Sequence, residues 1–239
     1  MMEKVTGPSR PANSELDNKV IKIGVLNIME ARILEEFLIH YNSLKPNVEF
    51  VVEFFGRSSI WNKLRNGEID LAFTYLPESS LTSEELKSII VKKVFEDSIV
   101  FLTHDKNTPA TYEGLTKTKW VSYAADTYLP DLIRSTYQLN FLPNPPEVVA
   151  RFSATYQLLQ FAQARPYNTY VTQSFYQAHR SKISLYPVEL QPKIYFQSYF
   201  IIKKLNSKFS LLDSFLKEWE DYLAHTSYDS RLDDVETLI

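Results

Sequence analysis

Residues 21–75 constrain the fold of this chain most, because short apolar runs alternate there with segments of helical periodicity. Apolar residues at positions 21, 23 and 25 predict a strand, and the apolar residues between 33 and 41 recur at helical spacing. Pro46 cannot continue that helix, so we expect the helix to end before it. Residues 48–54 are almost continuously apolar, which is typical of a strand covered on both faces.

A second helix and a third strand complete this unit. Ser58 or Ser59 is expected to cap a short helix, Gly67 suits the position after its end, and residues 69–75 form the third strand. Three strands joined by two helices predict a parallel sheet with right-handed crossovers. Ligands of such sheets bind at the edge where the strands end. That edge carries residues 26–27, 55–57 and 75–77.

A second α/β unit follows. Its predicted strands lie at residues 120–123, 147–152 and 168–173. They are joined by a helix that begins near Pro130 and by a helix that Ser153 is expected to cap. The geometry of the first unit is therefore expected to repeat.

The chain then returns through a long strand at residues 193–204 and an amphipathic helix at 207–222. Together these elements predict an α/β protein with two Rossmann-like lobes and a central cleft. The expected bounds are residues 20–103 plus 197–225 for lobe I, 104–196 for lobe II, 1–19 for a flexible leader or an artificial remnant, and 226–239 for a frayed, acidic C-terminal tail.

Composition excludes several classes of protein. The net charge of −3 argues against a dedicated nucleic-acid surface, and the absence of cysteine excludes disulfides and thiolate metal sites. No apolar run approaches the roughly 18 residues of a membrane span. The first residues also lack the apolar core of a secretory signal. We therefore expect a cytoplasmic protein that makes no contact with a membrane.

The sequence gives no support to catalysis. There is no Gly-x-Ser-x-Gly elbow, no phosphate-binding glycine loop and no His-Glu-x-x-His helix. The histidines are far apart, without the spacing of metal ligands. We expect no enzyme activity, no metal and no cofactor.

Three segments resemble the effector-binding domain of LysR-type transcriptional regulators. They read IKIGVLNIMEARILEEFLIHYNSLKPNVEF, LRNGEIDLAFTY and VKKVFEDSIVFLTHDKN. The second segment resembles the family's Leu-x-x-Gly-x-Leu-Asp-Leu-Ala-Ile pattern through Leu64, Gly67, Asp70, Leu71 and Ala72. The resemblance covers residues 20–106 well, and from 111 to 225 it lies mainly in the order of the elements.

This resemblance implies a fold like that of the type 2 periplasmic binding proteins, with a small-molecule effector in the cleft and assembly into homodimers or tetramers. It also implies that DNA is read only by an N-terminal helix-turn-helix domain that this sequence lacks. A solute-binding protein of a transporter, on the same fold, is the alternative. Two departures from the family pattern are expected to change the pocket wall: Leu26 and Ile28 replace hydroxyl residues, and Tyr167 and Tyr170 replace small ones.

The strongest candidate site is Arg57-Ser58-Ser59, at the start of a helix after a buried strand. Free backbone N–H groups and the positive helix end attract an anion there, with Arg57 as counter-charge. The alternative is a plain serine cap beside a solvated arginine. Ser153 and Thr155 repeat this geometry in lobe II, so the two helix ends are expected to face each other around an organic acid.

Further candidates follow from position at the strand ends. Arg151 either lines the cleft or pairs at the surface. The remaining predicted ligand-binding residues are Asn27, Tyr75, Thr127 and Tyr128.

Overall fold

The computed structural model describes residues 19–75, 82–139 and 146–233. The expected leader, apart from residue 19, the strand-edge residues 76–77 and the last six residues of the expected tail lie outside these ranges. The strands are β1 Val20–Leu26, β2 Glu49–Phe55, β3 Leu71–Tyr75, β4 Ile89–Thr103, β5 Lys119–Tyr123, β6 Glu147–Phe152, β7 Thr169–Thr172, β8 Tyr186–Val188 and β9 Tyr195–Lys203. The helices are α1 Arg32–Leu44, α2 Arg57–Asn66, α3 Ser83–Ser88, α4 Tyr112–Thr116, α5 Leu129–Leu139, α6 Thr155–Gln163, α7 Gln173–His179, α8 Phe209–His225 and α9 Tyr228–Asp233.

Lobe I is built on strands in the order β2-β1-β3-β9-β4. Strand β1 pairs in parallel with β2 and with β3, which confirms the arrangement predicted for residues 21–75. Strand β9 pairs antiparallel with β3 and with β4. The carboxyl ends of β1, β2 and β3 therefore share one edge of the sheet, as expected.

Aromatic side chains fill the layer between this sheet and helices α1 and α8. Phe37 packs edge-on against Phe215 and Trp219, with ring centroids 5.0 Å apart in both pairs. Phe200 of β9 meets Trp219 at the same separation of 5.0 Å. Such contacts each contribute about 0.5–1.5 kcal/mol beyond the burial of area. The apolar periodicity that predicted the two helices thus coincides with their buried faces.

Helix α2 covers the opposite face of the lobe I sheet. Its Ile60 and Leu64 are buried in a separate cluster with Ile69 and Ala72. Gly67 ends the helix with a φ of 73°, a left-handed conformation that glycine adopts without strain. The predicted end of this helix is confirmed.

Strands β4 and β9 connect the two lobes. Residues 89–98 of β4 pair with β9, and residues 99–102 and 101–103 pair with β7 and β8 of lobe II. In lobe II, β5 pairs in parallel with β6, and a single bridge joins Trp120 to Asn168 just before β7. The two-lobed α/β fold is confirmed, and the residue bounds assigned to each lobe stay a prediction.

The expectation of a frayed chain end is wrong for α9. Tyr228 and Leu232 of this helix are buried, at 4% and 0% exposure. The Tyr228 ring stacks on Phe95, with centroids 3.8 Å apart. Because the segment is mostly acidic, its composition gave no indication that these two apolar residues are buried. Through them the short helix packs against the body of the protein.

A buried ion pair ties the start of β3 to the start of α8. Lys208 Nζ lies 2.9 Å from Asp70 Oδ2, and the two side chains are only 10% and 8% exposed. The same carboxylate accepts the Lys22 N–H at 2.9 Å, while Lys208 Nζ also donates to the Val20 carbonyl at 2.9 Å. Asp70, part of the segment LRNGEIDLAFTY, therefore has a structural role.

We expect Asp70→Ala to lower the free energy of unfolding by about 3–5 kcal/mol, because it leaves the Lys208 ammonium buried without a counter-charge. The matched control is Asp213→Ala, which removes an exposed i,i+4 pair with Lys217 at 2.7 Å and is expected to change the same quantity by no more than about 0.5 kcal/mol. Urea unfolding of both variants measures the difference. Equal effects of the two substitutions would contradict the structural role.

Candidate functional site

The start of helix α2 meets lobe II at Asp126, which lies between β5 and α5. The backbone N–H and the Oγ–H of Ser58 both donate to Asp126 Oδ1, at 3.0 and 2.6 Å. The Arg57 N–H donates to the Asp126 backbone carbonyl at 3.0 Å. One lobe II residue thus accepts three hydrogen bonds from the first turn of a lobe I helix.

The physical basis of this contact is the open N-terminus of α2. The first N–H groups of a helix have no partner within the helix, and they carry the positive end of its dipole. A carboxylate is the group that such an end favours. The position predicted to attract an anion therefore holds a carboxylate, and the protein itself supplies it.

Gly56 permits this close approach. A Cβ atom added at Gly56 would lie 2.3 Å from Asp126 Oδ2, well inside van der Waals contact. Gly56 is also the N-cap residue of α2, with extended backbone and no capping side chain. Any side chain at this position would displace the Asp126 carboxylate from the helix end.

Both predicted serine caps are wrong, by two or three positions for Ser58 or Ser59 and by one position for Ser153. Helix α2 begins at Arg57 with Gly56 as N-cap, so Ser58 and Ser59 lie inside its first turn. Helix α6 begins at Thr155 with Ala154 as N-cap and no side-chain capping bond, which leaves Ser153 outside the helix and exposed. In the first case the cap comes from Asp126 across the cleft, which no local sequence pattern contains.

A second contact at this place joins charged side chains. Arg57 Nη1 lies 3.3 Å from Asp131 Oδ2 of α5, and Arg134 Nη1 lies 3.3 Å from the other oxygen of the same carboxylate. The Arg57 and Asp131 side chains are 32% and 43% exposed, so their pair contributes little to stability. Its role is to orient the Arg57 guanidinium towards lobe II.

A buried carboxylate, that of Asp97, lies where β4 passes from one lobe to the other. It accepts the Ser174 Oγ–H at 2.6 Å, the Ser174 N–H at 3.1 Å, the Ser98 N–H at 2.8 Å and the Tyr75 OH at 3.2 Å. Burial raises the pKa of Asp97 to about 6, and these hydrogen bonds oppose a further rise. No cation contacts this carboxylate among the residues that the structure describes.

Tyr75 and Asn27, two predicted site residues, lie at the ends of β3 and β1. Tyr75 is buried, and burial, followed by the nearby Asp97 charge, raises the pKa of its phenol well above the ordinary value. Asn27 donates its backbone N–H to the Phe55 carbonyl at 3.0 Å. Its side-chain Oδ1 is buried and has no hydrogen-bond partner in the described residues. A buried acceptor of this kind is costly unless a donor reaches it.

Most of the predicted site residues of lobe II make their contacts within lobe II. Thr155 is buried and its Oγ1 lies 3.0 Å from the Tyr123 OH. Thr127 is also buried and donates to the Ala124 carbonyl at 2.9 Å. Tyr128 is half-buried and packs against the main core. Arg57 and Ser58 therefore meet Asp126, and no hydrogen bond between described residues joins them to Ser153 or Thr155.

The sequence analysis missed Asp126 and Asp97. Asp126 stands in the segment AADTYLP, just before a predicted helix, and its signal is only that of a possible helix cap. Asp97 stands inside the apolar run FEDSIVFLT, and a single acid inside a buried strand is an available signal for a functional or strained site.

A further contact across the lobes lies near α9. His179 Nε2 of α7 lies 2.8 Å from Glu30 Oε2, and Glu30 is 5% exposed. The Tyr228 OH donates to the Glu30 backbone carbonyl at 3.0 Å. This end of the molecule is therefore held by α9, whereas the α2 end is held by Asp126.

The parts of the chain that the structure describes contain neither a metal-binding cluster nor a membrane-spanning helix. No group of three or more His, Cys, Asp or Glu side chains is placed to hold a metal ion there. No helix within the same residues is long and apolar enough to cross a bilayer.

The sequence matches the family model of the LysR substrate binding domain over residues 14–222. No curated protein has significant sequence similarity to the chain. The match extends over most of the chain, and it is the evidence for the family of this domain.

Solved structures share the fold at low sequence identity. The regulatory domain of CcmR from Synechocystis PCC6803, in complex with 2-PG, has a TM-score of 0.74 at 9% identity and covers 87% of this chain and 99% of its own. The effector-binding domain of QuiR, in complex with shikimate, has a TM-score of 0.70 at 14% identity and covers 87% and 98%. Full-length CbnR in complex with its target DNA has a TM-score of 0.63 at 11% identity and covers 84% and 69%. The ligands belong to those proteins, and the similarity shows the fold.

We expect Asp97 to make stability depend on pH in one direction. Its pKa rises from an ordinary value of 3.8 to about 6 on folding, so the folded state binds the proton more tightly. The resulting stabilisation is complete below pH 4 and is lost as the pH rises through 6. The free energy of unfolding of the wild type, relative to Asp97→Asn, should therefore fall by about 2 kcal/mol from pH 4 to pH 7.

Urea unfolding across this pH range measures the change, and an NMR titration of the Asp97 carboxyl carbon gives the midpoint independently. A difference between wild type and Asp97→Asn that stays constant or grows with pH would show that the carboxylate is not destabilised by burial.

Proposed function

The chain belongs to the LysR substrate-binding domain family, and on this premise we propose that it is the ligand-sensing domain of a LysR-type transcriptional regulator. In this proposal a small organic acid binds between the two lobes, and the domain senses the acid in the cytoplasm without transforming it. DNA contact in such a regulator belongs to a separate reading domain. The support comes from the family match, the two-lobed fold and the carboxylate at the start of α2.

One observation carries the proposal: the start of α2 already binds a carboxylate. Ser58 supplies an N–H and a hydroxyl to the same Asp126 oxygen, and Arg57 lies beside them with its guanidinium turned to lobe II. A ligand carboxylate needs the same donors. We propose that it takes the place of Asp126, so that ligand binding and release of this contact between the lobes are one event.

The other cleft groups suit the opposite end of such a ligand. Asn27 Oδ1 is a buried acceptor that no described residue satisfies. Asp97 adds negative potential where β4 passes between the lobes, beside Tyr75. A hydroxyl or amine donor on the ligand would satisfy Asn27, while its carboxylate lies away from Asp97. These polar groups favour a small hydroxy or amino acid over a purely apolar acid.

We expect Asp126→Ala to raise the affinity for the cognate acid roughly tenfold to a hundredfold, because it removes an internal competitor with charged hydrogen bonds. In the Asp126→Ala background, Ser58→Ala should lower that affinity by a similar factor, because the hydroxyl donor to the ligand carboxylate is lost while the Ser58 backbone N–H stays. A thermal-shift screen of small organic acids, shikimate among them, identifies the ligand. Calorimetry on both variants then gives the affinities.

Asp221→Ala is the matched control for Asp126→Ala, since Asp221 is exposed on α8. It should leave the affinity unchanged. If both Asp126→Ala and Ser58→Ala leave the affinity intact, or if the ligand is neutral or cationic, the carboxylate does not bind at the start of α2.

We also propose that the domain forms a homodimer. Helices α1 and α5 belong to different lobes, and both expose large apolar side chains. Ile39 is 74% exposed and Leu139 is 78% exposed. Their strands β2 and β6 are edge strands of their sheets. A two-fold axis can place α1 of one copy on α5 of the other. The same contact then forms twice, and both apolar patches of each copy are covered.

The double substitution Ile39→Asp and Leu139→Asp should shift the protein from dimer to monomer, because it places charge in the proposed apolar contact. Sedimentation velocity at micromolar protein concentration measures the shift. Leu205→Asp is the control, since Leu205 is 95% exposed in the turn before α8. A wild type that is monomeric, or a double variant that still dimerises, would contradict the proposed interface.

A further inference from the structure

A pocket of about 180 Å³ lies in lobe II, and none of its lining residues belongs to α2. Its floor is aromatic and consists of Phe101, Trp120 and Tyr170, which lie on neighbouring strands of the lobe II sheet. Helix α5 covers one side through Pro130 and Ile133.

An irregularity in the sheet places a positive charge at this pocket. The register between β5 and β6 shifts after Trp120, so that Trp120 pairs with Val148 and Ser122 pairs with Arg151. Residues three positions apart in a regular strand lie on opposite faces. The extra residue of the bulge instead brings Val148 and Arg151 onto the same face, where both line the pocket.

The pocket has few polar groups, and they are close together. The Ser122 hydroxyl and the Tyr170 OH are buried and 2.6 Å apart. Burial raises the pKa of Tyr170 to about 12, and its hydrogen bond with Ser122 and the positive charge of Arg151, which lines the same pocket, act in the opposite direction. No carboxylate among the described residues pairs with Arg151.

A second guanidinium lies at the pocket, that of Arg134 on α5. It pairs with the Asp131 carboxylate, at 3.3 Å, and the Arg134 side chain is 59% exposed. Two guanidinium groups therefore border an apolar cavity. Arg151 has no acidic partner within the described ranges, and the acid that pairs with Arg134 is shared with Arg57. Such an arrangement has positive charge in excess of what the neighbouring side chains neutralise.

We propose that this pocket is a second ligand site, separate from the cleft, for a small planar carboxylic acid with a ring. The size fits, because a cavity of about 150 Å³ already accommodates benzene. The ring packs on Trp120 and Tyr170, and its carboxylate binds Arg151, whose planar fork matches two carboxylate oxygens. Aromatic walls with one convergent charge are typical of small-molecule sites.

The chemistry of the pocket selects this ligand class over others. A phosphate or a sugar would bring many hydrogen-bonding groups to walls that satisfy few of them. A neutral aromatic ring would leave the Arg151 charge without a partner. A ring that carries one carboxylate uses both the apolar walls and the charge.

Benzoate is the probe for this site, because it is the smallest aromatic ring with one carboxylate. Its binding is followed by the NMR signal of the Trp120 indole N–H, which is donated to the Leu115 carbonyl at 2.8 Å. The signals of Trp61 and Trp219 serve as internal references, and loss of one signal in Trp120→Phe assigns it. We expect a saturable shift confined to Trp120.

Arg151→Gln should weaken benzoate binding roughly tenfold to a hundredfold, since it removes a charged hydrogen-bond donor. Arg65→Gln is the matched control, because Arg65 is an exposed arginine on α2 that pairs with Glu85, and it should leave binding unchanged. Benzyl alcohol, which lacks the charge, should bind at least tenfold more weakly than benzoate. The absence of a saturable Trp120 shift, unchanged affinity in Arg151→Gln, or equal binding of benzyl alcohol would each overturn the proposal.

Discussion

The pairing of β4 with β9 is the constraint on which the rest of the structure depends. Both strands pass between the lobes at residues 97–99 and 194–196, and the backbone bond from Ile99 N–H to the Ile194 carbonyl joins them there. Each lobe has its own helices on its own sheet. Any relative movement of the lobes must therefore be absorbed at this crossing, where Asp97 is buried, and at the contacts that bridge the cleft.

Much of this architecture follows from the sequence. The alternation of strand and helix patterns within residues 21–75 is sufficient to predict a parallel sheet. Apolar residues recur at different spacings in a helix and in a strand, so the two kinds of segment can be told apart. Gly67 and Pro46 marked helix ends through local backbone geometry that operates wherever the segment lies. These elements are predictable because their determinants are short-range. By contrast, α9 depends on Tyr228 meeting Phe95, more than a hundred residues away in the chain.

The sequence predicted the place of the candidate site, but not the residue that lobe II contributes to it. Strand ends and a helix N-terminus located Arg57 and Ser58 at the edge of lobe I. The sequence could not show that Asp126 reaches the same donors, because that contact spans 68 residues and depends on how the lobes close. The bulge in β6 is similar: a one-residue shift of register decides which face Arg151 occupies, and the apolar pattern of the strand does not encode it.

The contact between Asp126 and α2 has a consequence for dose response. A tethered carboxylate at a helix end has an effective concentration, which for short flexible tethers is on the order of millimolar. A free carboxylate that needs the same donors must compete against that value, so its apparent affinity is reduced by the fraction of molecules in which the donors are occupied. In the binding mode that we propose, the strength of the Asp126 contact sets a threshold for response, while other cleft residues determine which acid is recognised. Sensitivity and selectivity are then separable, and Gly56, which permits the close approach of Asp126, acts on sensitivity.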